Sequence, residues 1–241
     1  MHHIFITRLA VVISGKASRL ETRLKKYSSI QERISDIIQY WSDHASKFYT
    51  LQTIDSPFKV FLIYSKRYED VVKSFDYPDW VELCLDRRID SIADRQIFEQ
   101  YDNEPMSVSR IDADDWYSND YFDMLEQSYV PTHKNLDMSI ILNKNIIQFN
   151  RANNDVSHPI RYSSPGFASL VFNKFSKNYI PVNIRLWPHG SIKRMIHIEP
   201  TQLNCMQSVG INAVNKWRMN TPINYSPPVD RFYIPSSPLV V

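Results

Sequence analysis

Phe58-Lys59-Val60-Phe61-Leu62-Ile63-Tyr64 follows Pro57 and is nearly continuous in apolar residues. A run of that kind reads as a strand covered on both faces, because a strand with one wet face would alternate polar and apolar positions. Upstream, His3-Ile4-Phe5-Ile6-Thr7 is a second short, β-branched run. Between the two, Ile30, Ile34, Ile37, Ile38, Trp41, Ala45 and Phe48 recur every three or four residues, which predicts a helix over 29–48. Downstream, the patterns predict a helix over 68–75, a strand over 80–85 and a strand over 105–111. Ser91-Ile92-Ala93-Asp94 has the form of a capping box and predicts a further helix through Tyr101. Strand, helix, strand, helix, strand is the α/β pattern. It implies a Rossmann-like, mostly parallel central sheet flanked by helices.

After Asp115 the pattern loosens into a mixed second half. Ser118 is expected to cap a helix carrying Phe122 and Leu125. Segments 138–142 and 146–149 read as a hairpin around Asn143-Lys144-Asn145. Ser164-Pro165 places a proline at a first helical position and predicts a helix over 167–175, and another is expected over 201–209. Prolines 222, 227, 228, 235 and 238 predict an extended C-terminal tail over 219–241.

Composition narrows the function. The chain has 241 residues, 43% hydrophobic and 22% charged, which suits a globular domain and excludes collagen-like or disordered classes. A net charge of +2 gives no bulk attraction to nucleic acid or anionic lipid. Two cysteines, Cys84 and Cys205, make no disulfide scaffold and suit a reducing, cytoplasmic setting. No apolar run is long enough for a transmembrane helix. The charge is unevenly divided: residues 1–120 hold 16 Lys and Arg against 20 Asp and Glu, and residues 121–241 hold 12 against 6. A cleft between the halves would have an acidic and a basic wall. Four glycines, at 15, 166, 190 and 210, exclude a glycine-rich phosphate loop.

Chemistry concentrates in Ser109-Arg110-Ile111-Asp112-Ala113-Asp114-Asp115-Trp116. Three carboxylates in four residues, at the end of a strand, repel one another unless a cation or donor groups compensate. In an open α/β sheet, ligands bind at that end of the strands. A hard cation such as Mg²⁺ or Mn²⁺ takes one or two carboxylates and completes its shell with phosphate oxygens. The competing reading is that the aspartates only cap a helix. A calcium EF-hand is excluded, because Trp116 and Tyr117 stand where that loop needs Asp or Asn and Gly.

Asp112-Ala113-Asp114 after about 110 residues of α/β chain resembles the metal motif of nucleotide-sugar glycosyltransferases of the A fold. More narrowly, Phe5-Ile6-Thr7-Arg8, the acidic segment and Ser164-Pro165-Gly166-Phe167-Ala168-Ser169-Leu170 resemble a bacterial and viral family named for rhamnosyltransferases. The resemblance implies a single domain over 1–218, with a nucleotide-binding half (1–116) and an acceptor-side half (117–218). It implies that Asp114 binds metal, that Asp112 binds metal or the donor's ribose, and that Thr7, Arg8 and Arg110 line the nucleotide pocket. Val209-Gly210-Ile211-Asn212 lacks the histidine of a corresponding family stretch, which leaves His189, with His197 as the alternative, as the candidate substitute metal ligand. An inverting transferase needs a carboxylate base, and Asp155 and Glu199 are the candidates in the acid-poor second half. Arg151 is among the basic residues there that can neutralise a leaving diphosphate.

The resemblance thus implies, as the expected function, a metal-dependent glycosyltransferase with a nucleotide-sugar donor and a glycan or glycolipid acceptor. A nucleotidyltransferase or phosphohydrolase using the same acidic loop, and a non-catalytic binding module, are the alternatives.

Overall fold

A computed structural model describes residues 1–10, 27–85, 100–130, 138–143, 145–157, 160–161, 167–175, 198–200, 205–209 and 229–235. In chain order its main elements are β1 (His2–Ala10), α1 (Ile30–Tyr40), α2 (Lys47–Thr50), β2 (Phe58–Tyr64), α3 (Glu69–Lys73), β3 (Val81–Leu85), β4 (Met106–Asp112) and β5 (Trp116–Tyr117). There follow α4 (Tyr121–Gln127), β6 (Met138–Asn143), β7 (Asn145–Asn150), β8 (Ile160–Arg161), β9 (Phe167–Phe172) and β10 (Cys205–Val209). The expected helix over 91–101 falls mostly outside the described residues.

The central sheet has the order β3-β2-β1-β4-β9-β6. Strands β3, β2, β1 and β4 are mutually parallel, and β9 runs antiparallel to both β4 and β6, so five of the six share one direction. The mostly parallel α/β sheet expected from the sequence is the fold observed. Alternation along the strands sends Phe5, Val60 and Leu62 to one face, and Ile4, Ile6, Phe61 and Ile63 to the other. Both faces are buried, which is why β2 reads as an unbroken apolar run.

The first face is covered by α1, α2 and α4. Phe5 lies at its centre, with its ring 4.9 Å from that of Tyr49 and 5.6 Å from those of Phe48 and Phe122. Ser29 starts α1, its Oγ accepting from the Glu32 amide at 3.1 Å, while Glu32 reaches back to Ser28. Ser29→Ala should therefore cost about 1 kcal/mol in a urea titration. The apolar stripe over 29–48 is carried by α1, a π-helical turn over Trp41–Ala45 and α2. The wider turn shifts the register enough to keep Trp41, Ala45 and Phe48 all within the core.

Four second-half expectations are corrected. Segments β6 and β7 are strands but not a hairpin: β6 pairs with β9 in the central sheet, and β7 joins a second sheet of order β5-β10-β7-β8. Only Lys144 separates them, one residue short of the shortest common hairpin turn. The segment after Ser164-Pro165 is strand β9, and 205–209 is strand β10, not helix. Pairing in a sheet buried on both faces outweighs the local proline signal at β9, and Met206 of β10 is wedged between Ile147 and Trp116. Ser118 does not cap α4: the helix begins at Tyr121 with Asp120 before it, and Ser118 lends only its carbonyl to the Tyr121 amide.

Residues 229–235 of the expected extended tail form a short 3₁₀ turn and dock on the domain. Phe232 enters the main core, the Arg231 carbonyl accepts from the Asn119 amide, and Arg231 Nε donates to Asp120 Oδ2 at 2.9 Å.

Candidate functional site

Parallel strands end together, and the carboxyl edge of β1 and β4 is the place where this sheet can receive a ligand. In register, Ile6 lies beside Arg110 and Arg8 beside Asp112, which sets two arginines and a carboxylate on one face of adjacent strands. Arg8 Nη2 donates to Asp112 Oδ1 at 3.1 Å, and both side chains stay partly open to solvent. An open pair of this kind adds little stability. Arg110 is largely buried, and no carboxylate lies within ion-pair distance of it among the described residues. Burial, and then the neighbouring charge of Arg8, hold its pKa below the usual arginine value. The Nε atoms of Arg8 and Arg110 are both buried without an acceptor.

Asp112 is the last residue of β4, and its carbonyl accepts from the Asp115 amide at 3.1 Å, closing a tight turn. That turn leads into β5, not into a helix, and α4 starts six residues after Asp115. The acidic segment therefore does not cap a helix. Ala113 and Asp115 are buried in the turn, while Asp112 and Asp114 each keep some exposed surface. The Asp114 carboxyl is pushed up to about 6, first by burial and then by the negative charge of Asp112. Arg151 and Arg33 act in the opposite sense, favouring the charged form.

Those two arginines come from different elements. Arg33 lies on α1 and Arg151 directly after β7, and each is only 4% exposed. The Arg151 guanidinium lies over the Tyr40 ring, 3.6 Å from its centroid, and 3.6 Å from Asp36 Oδ2. Asp36 is itself fixed by the Tyr27 hydroxyl, which donates to the same oxygen at 2.7 Å. Sequence reasoning missed Arg33, although the signal was there: it stands three residues after Ile30 and four before Ile37, on the apolar stripe itself.

Of the other sequence candidates, Thr7 is fully buried, with its hydroxyl facing that of Tyr49, so it packs beneath the edge of the sheet. Asp155 is exposed in the turn after β7, where its amide donates to Asn153 Oδ1 and its carbonyl accepts from Asn150. Glu199 is exposed beside Ile198, which bridges to Ile141 of β6. Three strand spacings separate it from Asp112, roughly 14 Å across the sheet. His189 and His197 lie outside the described residues.

The donor chemistry suits a hard divalent cation. Asp112 and Asp114 are two hard oxygen donors whose mutual repulsion is compensated only in part by nearby arginines. Among the described residues no group of three or more His, Cys, Asp or Glu is placed to hold a metal. Ligand oxygens and water would have to complete the shell. No helix among the described residues is long and apolar enough to cross a membrane.

No family profile matches the sequence, and no curated protein matches it. Solved structures do resemble it. One is residues 1–349 of TarS from S. aureus, 10% identical with a TM-score of 0.41, over 86% of this chain and 60% of that one. A second is a protein from Bacillus anthracis described as a glucose-1-phosphate thymidylyltransferase, complexed with sucrose: 12% identical, TM-score 0.40, over 87% of each chain. A third is HddC from Yersinia pseudotuberculosis complexed with GMP-PN, 12% identical with a TM-score of 0.32, over 88% and 91%. The chain spans 60% of the shorter TarS structure and 37% of the longer one. At these identities the likeness is one of chain course only.

Proposed function

We propose that this chain is a metal-dependent glycosyltransferase that moves a sugar from a UDP- or dTDP-linked donor to a glycan or glycolipid acceptor. One observation carries the reading: Asp112 and Asp114 stand with Arg8 and Arg110 at the shared carboxyl edge of β1 and β4. Interleaved carboxylates and guanidiniums are what a diphosphate with a bound cation requires. Asp112 and Asp114 would hold Mn²⁺ or Mg²⁺, and the cation, when bound, would offset charge developing on the departing diphosphate. Arg8 and Arg110 would bind the phosphates directly, and the buried, acceptor-poor Arg110 is suited to bind them strongly. For an inverting transfer, Asp155 and Glu199 are the base candidates. A nucleotidyltransferase or phosphohydrolase working on two metals would want more carboxylates beside the turn than the described residues place there.

The test is calorimetric titration of UDP, UDP-glucose and dTDP with and without Mn²⁺, on wild type and Asp114→Ala. We expect manganese-dependent binding that Asp114→Ala abolishes while the melting temperature holds. Absence of nucleotide binding, or binding indifferent to metal and to Asp114, overturns the reading.

A further inference from the structure

Arg151 is a cation out of place by ordinary rules. It is 4% exposed, and a buried guanidinium with five N–H donors is costly unless acceptors surround it. Among the described residues its charged contacts reduce to Asp36 at 3.6 Å, beyond hydrogen-bond length, and its remaining support is the face of Tyr40. Asp36 Oδ2 is already taken by the Tyr27 hydroxyl. The guanidinium is thus held in position by a ring and a distant carboxylate, while most of its donors lack a matched acceptor among the described residues. β5 and β7 both pair with β10 in a register that brings Arg151, after Asn150, to the same end of the second sheet as Asp114, before Trp116, and its charge reaches Asp114.

We propose that Arg151 is an anion anchor of the donor site, binding a phosphate group of the diphosphate from the α1 side, with Tyr40 and Asp36 as positioning residues. The proposal rests on the nucleotide-sugar reading for the identity of the ligand, but the anchor itself is defined by phosphate chemistry alone. Stacking on Tyr40 fixes the plane of the fork, and a planar fork fixed in advance suits bidentate recognition of phosphate. A long ion pair with Asp36 gives up little when the guanidinium turns toward a ligand. Arg8 and Arg110 on the sheet edge and Arg151 on the helix side would then grip one polyanion from two walls.

The experiment titrates inorganic pyrophosphate, UDP and uridine, each with Mn²⁺, into wild type, Arg151→Met and Arg151→Lys, with melting temperatures recorded alongside. Loss of a charged hydrogen-bonding partner predicts about 10- to 100-fold weaker binding of pyrophosphate and of UDP in Arg151→Met. Uridine affinity should not change, and Arg151→Lys should recover part of the loss. Tyr40→Leu, which leaves the charge but removes its support, should weaken both phosphate ligands several-fold. Unchanged pyrophosphate and UDP affinity in the folded Arg151 variants overturns the anchor while leaving the nucleotide reading intact. Arg151-dependent pyrophosphate binding with no binding of any nucleotide supports the anchor and overturns the nucleotide reading. A wild type that binds neither overturns both.

Discussion

Between pH 7 and about 4 wild type should lose on the order of 3 kcal/mol of stability relative to His3→Gln, whatever the other titrating groups contribute to both proteins. His3 is fully buried at the amino end of the sheet, its ring stacked on Phe122 with centroids 4.3 Å apart. Its Nδ1 lies 2.8 Å from Ser107 Oγ and its Nε2 lies 3.2 Å from Glu126 Oε1. Burial lowers its pKa from 6.5 to about 4, with Glu126 opposing but not overcoming the effect. The folded state therefore keeps His3 neutral where the unfolded chain already binds a proton. Stability is fully present above 6.5 and is lost as pH falls toward 4. About 1.4 kcal/mol for each pH unit across that window gives the magnitude. Burial works against the Glu126 charge, but the Ser56 hydroxyl, the amino terminus and His3 together lower its pKa, so its share of stability is lost at still lower pH. Urea midpoints measured across this range for wild type and His3→Gln check the prediction. Parallel pH profiles for the two proteins would show that His3 is not the titrating group.

That cluster also shows what a sequence leaves hidden. His3 carries no spacing signal, because its partners Ser107 and Glu126 are 104 and 123 residues away and meet it only through β1–β4 pairing and the packing of α4. The parallel half of the sheet was legible for the opposite reason. Runs such as Phe58–Tyr64 are buried on both faces, so local composition and tertiary environment agree. They disagree at β9, where the local Ser164-Pro165 signal favours a helix but two neighbouring strands claim the segment. The site divides in the same way. Asp112, Asp114, Arg8 and Arg110 lie at strand ends that the pattern already located. Arg33 betrays its burial only by standing on the apolar stripe of α1, and Arg151 looks like an ordinary surface arginine until the fold buries it. Asp155 and Glu199 stand out in the sequence only because the second half has few carboxylates, and scarcity carries no geometry.

Arg110→Met should move stability and binding in opposite directions, which a merely structural arginine cannot do. In the folded protein Arg110 is largely buried beside a second arginine, its Nε has no acceptor, and no carboxylate pairs with it among the described residues. Replacing such a cation by an apolar side chain of similar length removes a desolvation cost and a like-charge contact. Exchanges of buried charge for apolar groups are often neutral or stabilising by about 1–4 kcal/mol, and because Arg110 keeps some exposed surface we expect the lower end of that range. The same exchange removes a charged donor from the phosphate site, so affinity for UDP with Mn²⁺ should fall about 100-fold. Arg8→Met supplies the contrast. It breaks the pair with Asp112, which is solvent-exposed and contributes little, so its melting temperature should barely move while UDP affinity still drops. Thermal melts and calorimetric titrations of the two variants decide the matter. If Arg110→Met unfolds more easily than wild type, the arginine is there to hold the fold. A variant that gains stability and loses the ligand marks a residue whose burial serves a bound anion.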